Sequence, residues 1–249
     1  MQRLESEERQ LSTRVWFNIG MKWRGLEDKP DAERGLPLSA RLAERRELIA
    51  RYVAAETQAA SRRAVEELRA SGIENRVPKP DATAPEFQLP DQDGKPVSSH
   101  ELLQRGRLVV TFYRGRWCPF CVAQLEAMNE AVAQIREAGA ELVAISPQTV
   151  HQSFLMRDQH RLQFALLSDA GNHVARQFGL VYRVPDYQQQ IYARSFTNLP
   201  FINGDSTWEL PLSATFVLER DRRILWASAD PDYTTRPEPA DILAQLKRP

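Results

Sequence analysis

Runs of apolar residues separated by stretches of helical spacing organise the second half of the chain. Leu108-Val-Val-Thr-Phe-Tyr113 and Glu141-Leu-Val-Ala-Ile-Ser146 read as buried strands, and Phe164-Ala-Leu-Leu167 as a shorter one. Between the first two, Pro119 to about Glu137 places Val122, Leu125, Met128, Val132 and Ile135 at intervals of three and four, the period of a helix. Further helices are expected around 149–160, over 171–178 with Gly179 as its stop, and over 239–247. Ala214-Thr-Phe-Val-Leu218 and Arg223-Ile-Leu-Trp-Ala227 form a hairpin across Glu219-Arg-Asp-Arg222. A smaller hairpin joins Glu86-Phe-Gln-Leu to Lys95-Pro-Val through a turn ending at Gly94. Strand–helix–strand–helix, then hairpin and helix, predicts an α/β layered domain with a mixed central sheet flanked by helices.

Upstream the pattern changes. Residues 39–71 are rich in Ala, Glu, Arg and Leu and contain no Gly or Pro, which predicts one helix stopped by Gly72. Ala54, Ala55, Ala59 and Ala60 leave a flat face, suited to intramolecular packing or to a homodimer seam through this N-terminal helix. Pro78, Pro80, Pro85 and Pro90 then forbid helix, placing a boundary near residue 80. The chain thus divides into an N-terminal arm, 1–38, a helical extension and linker, 39–78, and an α/β domain, 79–249. Val15, Trp16, Phe17, Ile19, Met21 and Trp23 make the arm an aromatic-rich knot, read either as packed on the main domain or a partner, or as a poorly ordered leader. Residues 180–210 show no clear period; their tyrosines, Tyr182, Tyr187 and Tyr192, with Phe196, Phe201 and Trp208, suit a wall for a site or packing elsewhere.

Composition narrows the function. The 249 residues carry 33 basic and 33 acidic side chains, with 42% hydrophobic residues, which is the make-up of a globular chain with a sizeable core. Zero net charge removes the diffuse attraction that nucleic-acid or membrane-surface binding uses. No stretch reaches the about 20 apolar residues of a membrane span, and the N-terminus lacks a signal-like apolar core. Two cysteines three apart do not form a secreted disulfide framework, so a cytoplasmic protein is expected.

Those cysteines carry the chemistry. In Phe112-Tyr-Arg-Gly-Arg-Trp-Cys118-Pro-Phe-Cys121 a strand delivers Cys118 to the first turn of a helix, where free N–H groups and the positive helix end favour a thiolate. Pro119 suits that turn because it has no N–H to lose, and Cys121 follows one turn later on the same face. Arg105, Arg107, Arg114 and Arg116 stand nearby with no acid between Arg105 and Leu125, which should depress the Cys118 pKa further. Cys118 is therefore expected as a partly exposed nucleophile, supported by Arg114, Arg116, Trp117 and Pro119, with Cys121 as its more buried partner. A zinc site would need two more ligands, and His100, His151, His160 and His173 lie outside H-x₃₋₅-H spacing. Two plain core thiols remain the bland alternative. No cofactor is expected: the 11 glycines form no phosphate loop.

In these segments, over residues 82–248, the chain resembles the thioredoxin superfamily and, within it, the peroxiredoxin-like proteins of the alkyl hydroperoxide reductase and thiol-specific antioxidant (AhpC/TSA) group. The carriers are Ala84-Pro-Glu-Phe-Gln-Leu-Pro-Asp, the Cys118–Cys121 segment, Leu142-Val-Ala-Ile-Ser-Pro-Gln148, Leu166-Leu-Ser-Asp169, Val174-Ala-Arg-Gln-Phe-Gly179 and Ala214-Thr-Phe-Val-Leu. The resemblance implies a thioredoxin-like fold and reduction of hydrogen peroxide or organic hydroperoxides. Cys118 would pass through a sulfenic acid to a Cys118–Cys121 disulfide, recycled by a thioredoxin-like dithiol donor. The chain also departs from that family. Thr111 replaces the proline, and Gly115 the Thr or Ser, of the P-x-x-x-[ST]-x-x-C motif; Cys121 replaces a common glutamate. Ser213 stands where peroxiredoxins carry an arginine and thioredoxins a cis-proline. Arg114 and Arg116 are the candidate stand-ins for the missing donor. Two other functions stay open: a thiol–disulfide oxidoreductase using the same C-x-x-C, and a non-enzymatic interaction protein with a vestigial redox site.

Overall fold

The computed structural model describes residues 33–195 and 197–247. The aromatic knot between Val15 and Trp23 lies outside them, as do Phe196 and the last two residues. A five-stranded sheet forms the centre: β3 (Arg107–Phe112), β4 (Ala140–Ser146), β5 (Ala165–Ser168), β8 (Ser213–Leu218) and β9 (Ile224–Asp230), in the order β5-β4-β3-β8-β9. β3, β4 and β5 are parallel, and β8 runs antiparallel to both β3 and β9. Both faces of the inner strands are covered, as continuous apolar runs require. Val109, Leu142, Ala144, Leu166 and Val217 point to one core, and Leu108, Val110, Val143, Ile145, Leu167 and Phe216 to the other. A two-residue period thus divides one sheet between two hydrophobic layers.

The first layer is built on α4 (Pro119–Glu137), flanked by α9 (Pro239–Leu246), with Met156 of α5 (Val150–His160) and the N-terminal helix α1 (Leu38–Tyr52) added. The second layer holds α3 (Ser99–Arg105), α6 (His173–Gln177) and Ile73 and Val77 from the chain leading into the domain. β1 (Gln88–Pro90) and β2 (Pro96–Ser98) form the small expected hairpin, with Gly94 at φ +78° in its turn.

Two expectations change. The helix expected over 39–71 is two helices, α1 and α2 (Ala55–Ala70), separated by extended backbone at Val53 and Ala54. Neither Gly nor Pro causes the break. The Gln58 Nε2 amide donates to the carbonyls of Ile49, Ala50 and Val53, satisfying the end of α1 and competing with helix continuation. Ala54, Ala55 and Ala59 stay exposed, and the half-buried face of α2 is Ala64, Val65 and Leu68. The aperiodic stretch 180–210 contains structure too short to show a period: β6 (Val181–Arg183), α7 (Asp186–Arg194), α8 (Leu199–Asn203) and β7 (Glu209–Pro211), with β6 and β7 paired.

α1 is bound to the domain by more than apolar contact. Leu38 and Leu42 belong to the first core layer. Arg45, 2% exposed, pairs both guanidinium nitrogens with the Glu33 carboxylate at 3.0 Å, and its Nε donates to the Pro119 carbonyl at 3.1 Å. Arg41, 1% exposed, pairs with Glu130 of α4 at 2.7 Å. At the start of α1 the Glu238 carboxylate accepts from the N–H groups of Leu38 (2.9 Å) and Ser39 (2.7 Å), and the same residue closes a capping box on α9 with Asp241. Arg45→Met leaves a buried carboxylate unpaired and is expected to cost about 3–5 kcal/mol, read as a lower denaturant midpoint in equilibrium unfolding.

Candidate active site

β3 ends at Phe112, and a five-residue turn carries the chain to Cys118, the N-cap of α4, with Pro119 at the first helical position. The turn is held from below by Gln148. Its Nε2 donates to Tyr113 Oη at 2.8 Å, and its Oε1 accepts from the Arg116 N–H at 3.0 Å. Gly115 has φ +147°, and a Cβ there would stand 2.5 Å from Trp117 Nε1. A side chain is excluded at this position because the Trp117 ring folds back over it. The hydroxyl that the family places here has no room in this turn.

Both sulfurs are free thiols inside the protein, Cys118 at 1% and Cys121 at 0% exposure. Cys118 is therefore not the partly exposed residue expected from its place at a helix start. Its cover comes from its own turn, held in place by distant rings. Arg114, 2% exposed, reaches it with Nη1 at 3.9 Å and donates with Nη2 to Tyr192 Oη of α7. The same guanidinium lies 4.7 Å from the Trp117 ring centre and 4.3 Å from that of Tyr233. Trp117 packs on Tyr192 with ring centres 5.2 Å apart. The segment 180–210 thus walls the site through Tyr182 and Tyr192, while Tyr187 contacts α2 instead.

Of the four arginines near the motif, only Arg114 reaches a sulfur. Arg116 points away to Gln152 (3.4 Å) and Gln159 (3.2 Å), and Arg107 to Glu219 (2.9 Å). Arg105 lies on a groove near the N-terminal ends of β4 and β5. The second cation comes from the loop before α9: Arg236 Nη2 stands 3.6 Å from Cys121 Sγ. No motif marks Arg236, and only its position in space identifies it.

Burial opposes ionisation of both sulfurs, but their partners differ. For Cys118 the hydrogen bond with Cys121 and the charge of Cys121 add to burial, so its pKa is pushed well above the ordinary thiol value. For Cys121 burial is outweighed by the hydrogen bond from Cys118, by the charges of Arg236 and Arg114, and by the Arg114 backbone N–H, so its pKa falls well below. The two thiols are coupled and titrate as a pair. In this reduced, closed state the first negative charge rests on Cys121, which reverses the expected depression of Cys118. Among the described residues no group of three or more His, Cys, Asp or Glu is placed to hold a metal ion.

A strand-to-helix C-x-x-C on a mixed five-stranded sheet with helices on both faces is the thioredoxin-like α/β fold. The profile of the AhpC/TSA family matches residues 80–227, and the chain belongs to that family. Among curated relatives, a chloroplastic peroxiredoxin Q of Sedum lineare is 36% identical over 114 residues, 45% of this chain and 60% of that protein. Peroxiredoxin Bcp of Escherichia coli is 33% identical over 97 residues, 39% of this chain and 62% of that one. The chain thus spans less than two thirds of the length of these relatives. The crystal structure of peroxidoxin BcpB from Mycobacterium tuberculosis superposes with a TM-score of 0.53 at 27% identity, covering 68% of this chain and 96% of that one. Arg236, Tyr233 and the helices α1 and α2 fall outside the family-matched stretch.

Restoring the family hydroxyl tests the turn. Gly115→Ser is expected to push Trp117 off Tyr192, seen as a changed tryptophan emission spectrum, and to destabilise the fold by roughly 1–3 kcal/mol.

Proposed function

We propose that this chain is a thiol-dependent peroxidase, reducing hydrogen peroxide or organic hydroperoxides with Cys118 and Cys121. The observation that carries this reading is a buried thiol pair between two guanidinium groups, with both cysteines at most 1% exposed. A small peroxide suits such a site. A protein disulfide would first have to uncover it, which weighs against the oxidoreductase alternative. The inward commitments of α1 likewise weigh against a purely surface role for the extension.

The chemistry follows from the coupling of the two thiols. Moving a proton from Cys118 to Cys121 generates the Cys118 thiolate beside Arg114. That sulfur attacks the distal peroxide oxygen; the O–O bond breaks, a sulfenic acid forms on Cys118, and the departing alkoxide or hydroxide takes a proton to become alcohol or water. Cys121 then loses its proton again, aided by Arg236, and attacks the Cys118 sulfur. Hydroxide leaves and is protonated to water as the Cys118–Cys121 disulfide forms. Two electrons from an external dithiol of thioredoxin type return the pair to thiols by exchange. The low Cys121 pKa serves the second step, where that residue is the nucleophile. Free thiols in the resting state fit a reducing compartment such as the cytoplasm.

Stopped-flow tryptophan fluorescence after hydrogen peroxide addition tests the assignment, because Trp117 adjoins Cys118. A fast peroxide-dependent phase is expected in the wild type and is lost in Cys118→Ser; full peroxidase turnover in that variant sinks the reading. Arg236→Met is expected to retain the first phase and slow disulfide formation, because losing the cation raises the Cys121 pKa and lowers its thiolate fraction.

The pH dependence has a definite sign. A thiol whose pKa is held well below its ordinary value ionises at lower pH than a free thiol and loses its charge as the pH falls. Reduced wild-type protein should therefore show thiolate absorbance by ultraviolet titration at lower pH than a free cysteine does. In Arg236→Met that titration moves to higher pH.

A further inference from the structure

With both sulfurs buried, a substrate has to approach through a gap in their cover. A cleft of about 180 Å³ runs between α2 and the segment from Tyr182 to Gln188 and reaches Arg114 at its polar end, beside Tyr182 and Tyr233. That guanidinium in turn stands 3.9 Å from Cys118 Sγ. The half-buried Ala64, Val65 and Leu68 on α2, with Pro185 and Pro231, form its apolar lining, which Glu67, Ser71, Arg183 and Gln188 border. A larger groove of about 450 Å³, at the N-terminal ends of β4 and β5, includes no residue of the site.

The α2 wall is fastened in place. Tyr187 Oη donates to Glu67 Oε2 at 2.8 Å, and the Arg63 guanidinium lies 4.5 Å from the Tyr187 ring centre. Arg69 pairs with Asp230 at 3.4 Å. Exposed ion pairs hold only weakly one by one, but here they act with a ring stack and a phenol hydrogen bond along one seam. The cleft combines its apolar lining with the Arg114 cation and the phenols of Tyr182 and Tyr233.

We propose that α2 is the substrate selector of this site: Ala64, Val65 and Leu68 hold the organic group of a compact hydroperoxide whose peroxide end points to Arg114. This inference rests on the peroxidase reading. The cleft is smaller than the roughly 300 Å³ at which ordinary small-molecule sites begin, so it suits a branched alkyl or aryl group and not a long acyl chain. Hydrogen peroxide carries no organic group and gains nothing from these walls. The selector lies outside residues 80–227, in a segment that the family match does not reach.

The test measures kcat/KM of the full chain for hydrogen peroxide, cumene hydroperoxide and a long-chain fatty-acid hydroperoxide, with a small dithiol as reductant. Ala64→Phe fills the cleft and is expected to lower the cumene-to-hydrogen-peroxide ratio about tenfold or more, the scale on which apolar pockets discriminate size. Leu68→Ala widens it and should raise the ratio for the fatty-acid over the cumene hydroperoxide; this second variant carries the test if the phenylalanine variant does not fold. Ratios within twofold of wild type in the folded variants, with wild type active, overturn the selector and leave the peroxidase reading standing. A wild-type chain inert to all three peroxides overturns both.

Discussion

A negative sulfur in a water-free site is tolerable only when fixed cations stand beside it. That constraint organises this protein. Two thiols lie together at the start of α4, and each meets a guanidinium, Arg114 from the preceding turn and Arg236 from the loop before α9. Arg114 cannot wander, because Tyr192 takes its Nη2 and the rings of Trp117 and Tyr233 flank its plane. The surrounding aromatic groups exclude water, and exclusion of water strengthens each charge–charge contact inside. The same closure leaves both cysteines at most 1% exposed, so nothing large can meet them at rest.

The extension upstream of residue 80 is part of this arrangement. Arg45 holds the Pro119 carbonyl, one residue from Cys118, and does so with a guanidinium already saturated by Glu33. Arg41 fixes the same helix one side further along through Glu130. A buried arginine of this kind contributes geometry more than net stability, since its desolvation offsets much of its Coulomb gain. Its value here is that the first turn of α4, next to Cys118, is tied to α1.

The frame of the fold was legible because its signals are long and regular. The nineteen residues of α4 repeat their apolar positions over five turns, and β3, β4 and β8 are continuous apolar runs whose both-sided burial matches their composition. The glycines at 72, 94 and 179 mark stops and a turn, and each adopts positive φ. The cysteine pair was legible as a local motif. What escaped was whatever depends on distance in the chain. Arg236 meets Cys121 across 115 residues, and Tyr192 meets Arg114 across 78. Arg114 and Trp117, held over Cys118 by Tyr192 and Tyr233, keep it buried, and a local reading without those distant partners expects it exposed with the lower pKa. The break between α1 and α2 came from a glutamine side chain capping carbonyls, a feature without helix-breaking residues. β6, α7, α8 and β7, at three to nine residues, are too short to display a period.

Glu238 has a consequence for the chain as a whole. One carboxylate satisfies the opening N–H groups of α1 and also takes part in the capping box of α9, so the two ends of the fold share a single terminator. Removing either end strips the other of a partner, and the losses from trimming both ends are therefore not independent. The polypeptide is linear in its bonds but closed in its energetics, with the loop completed a few residues from the arginine that faces Cys121.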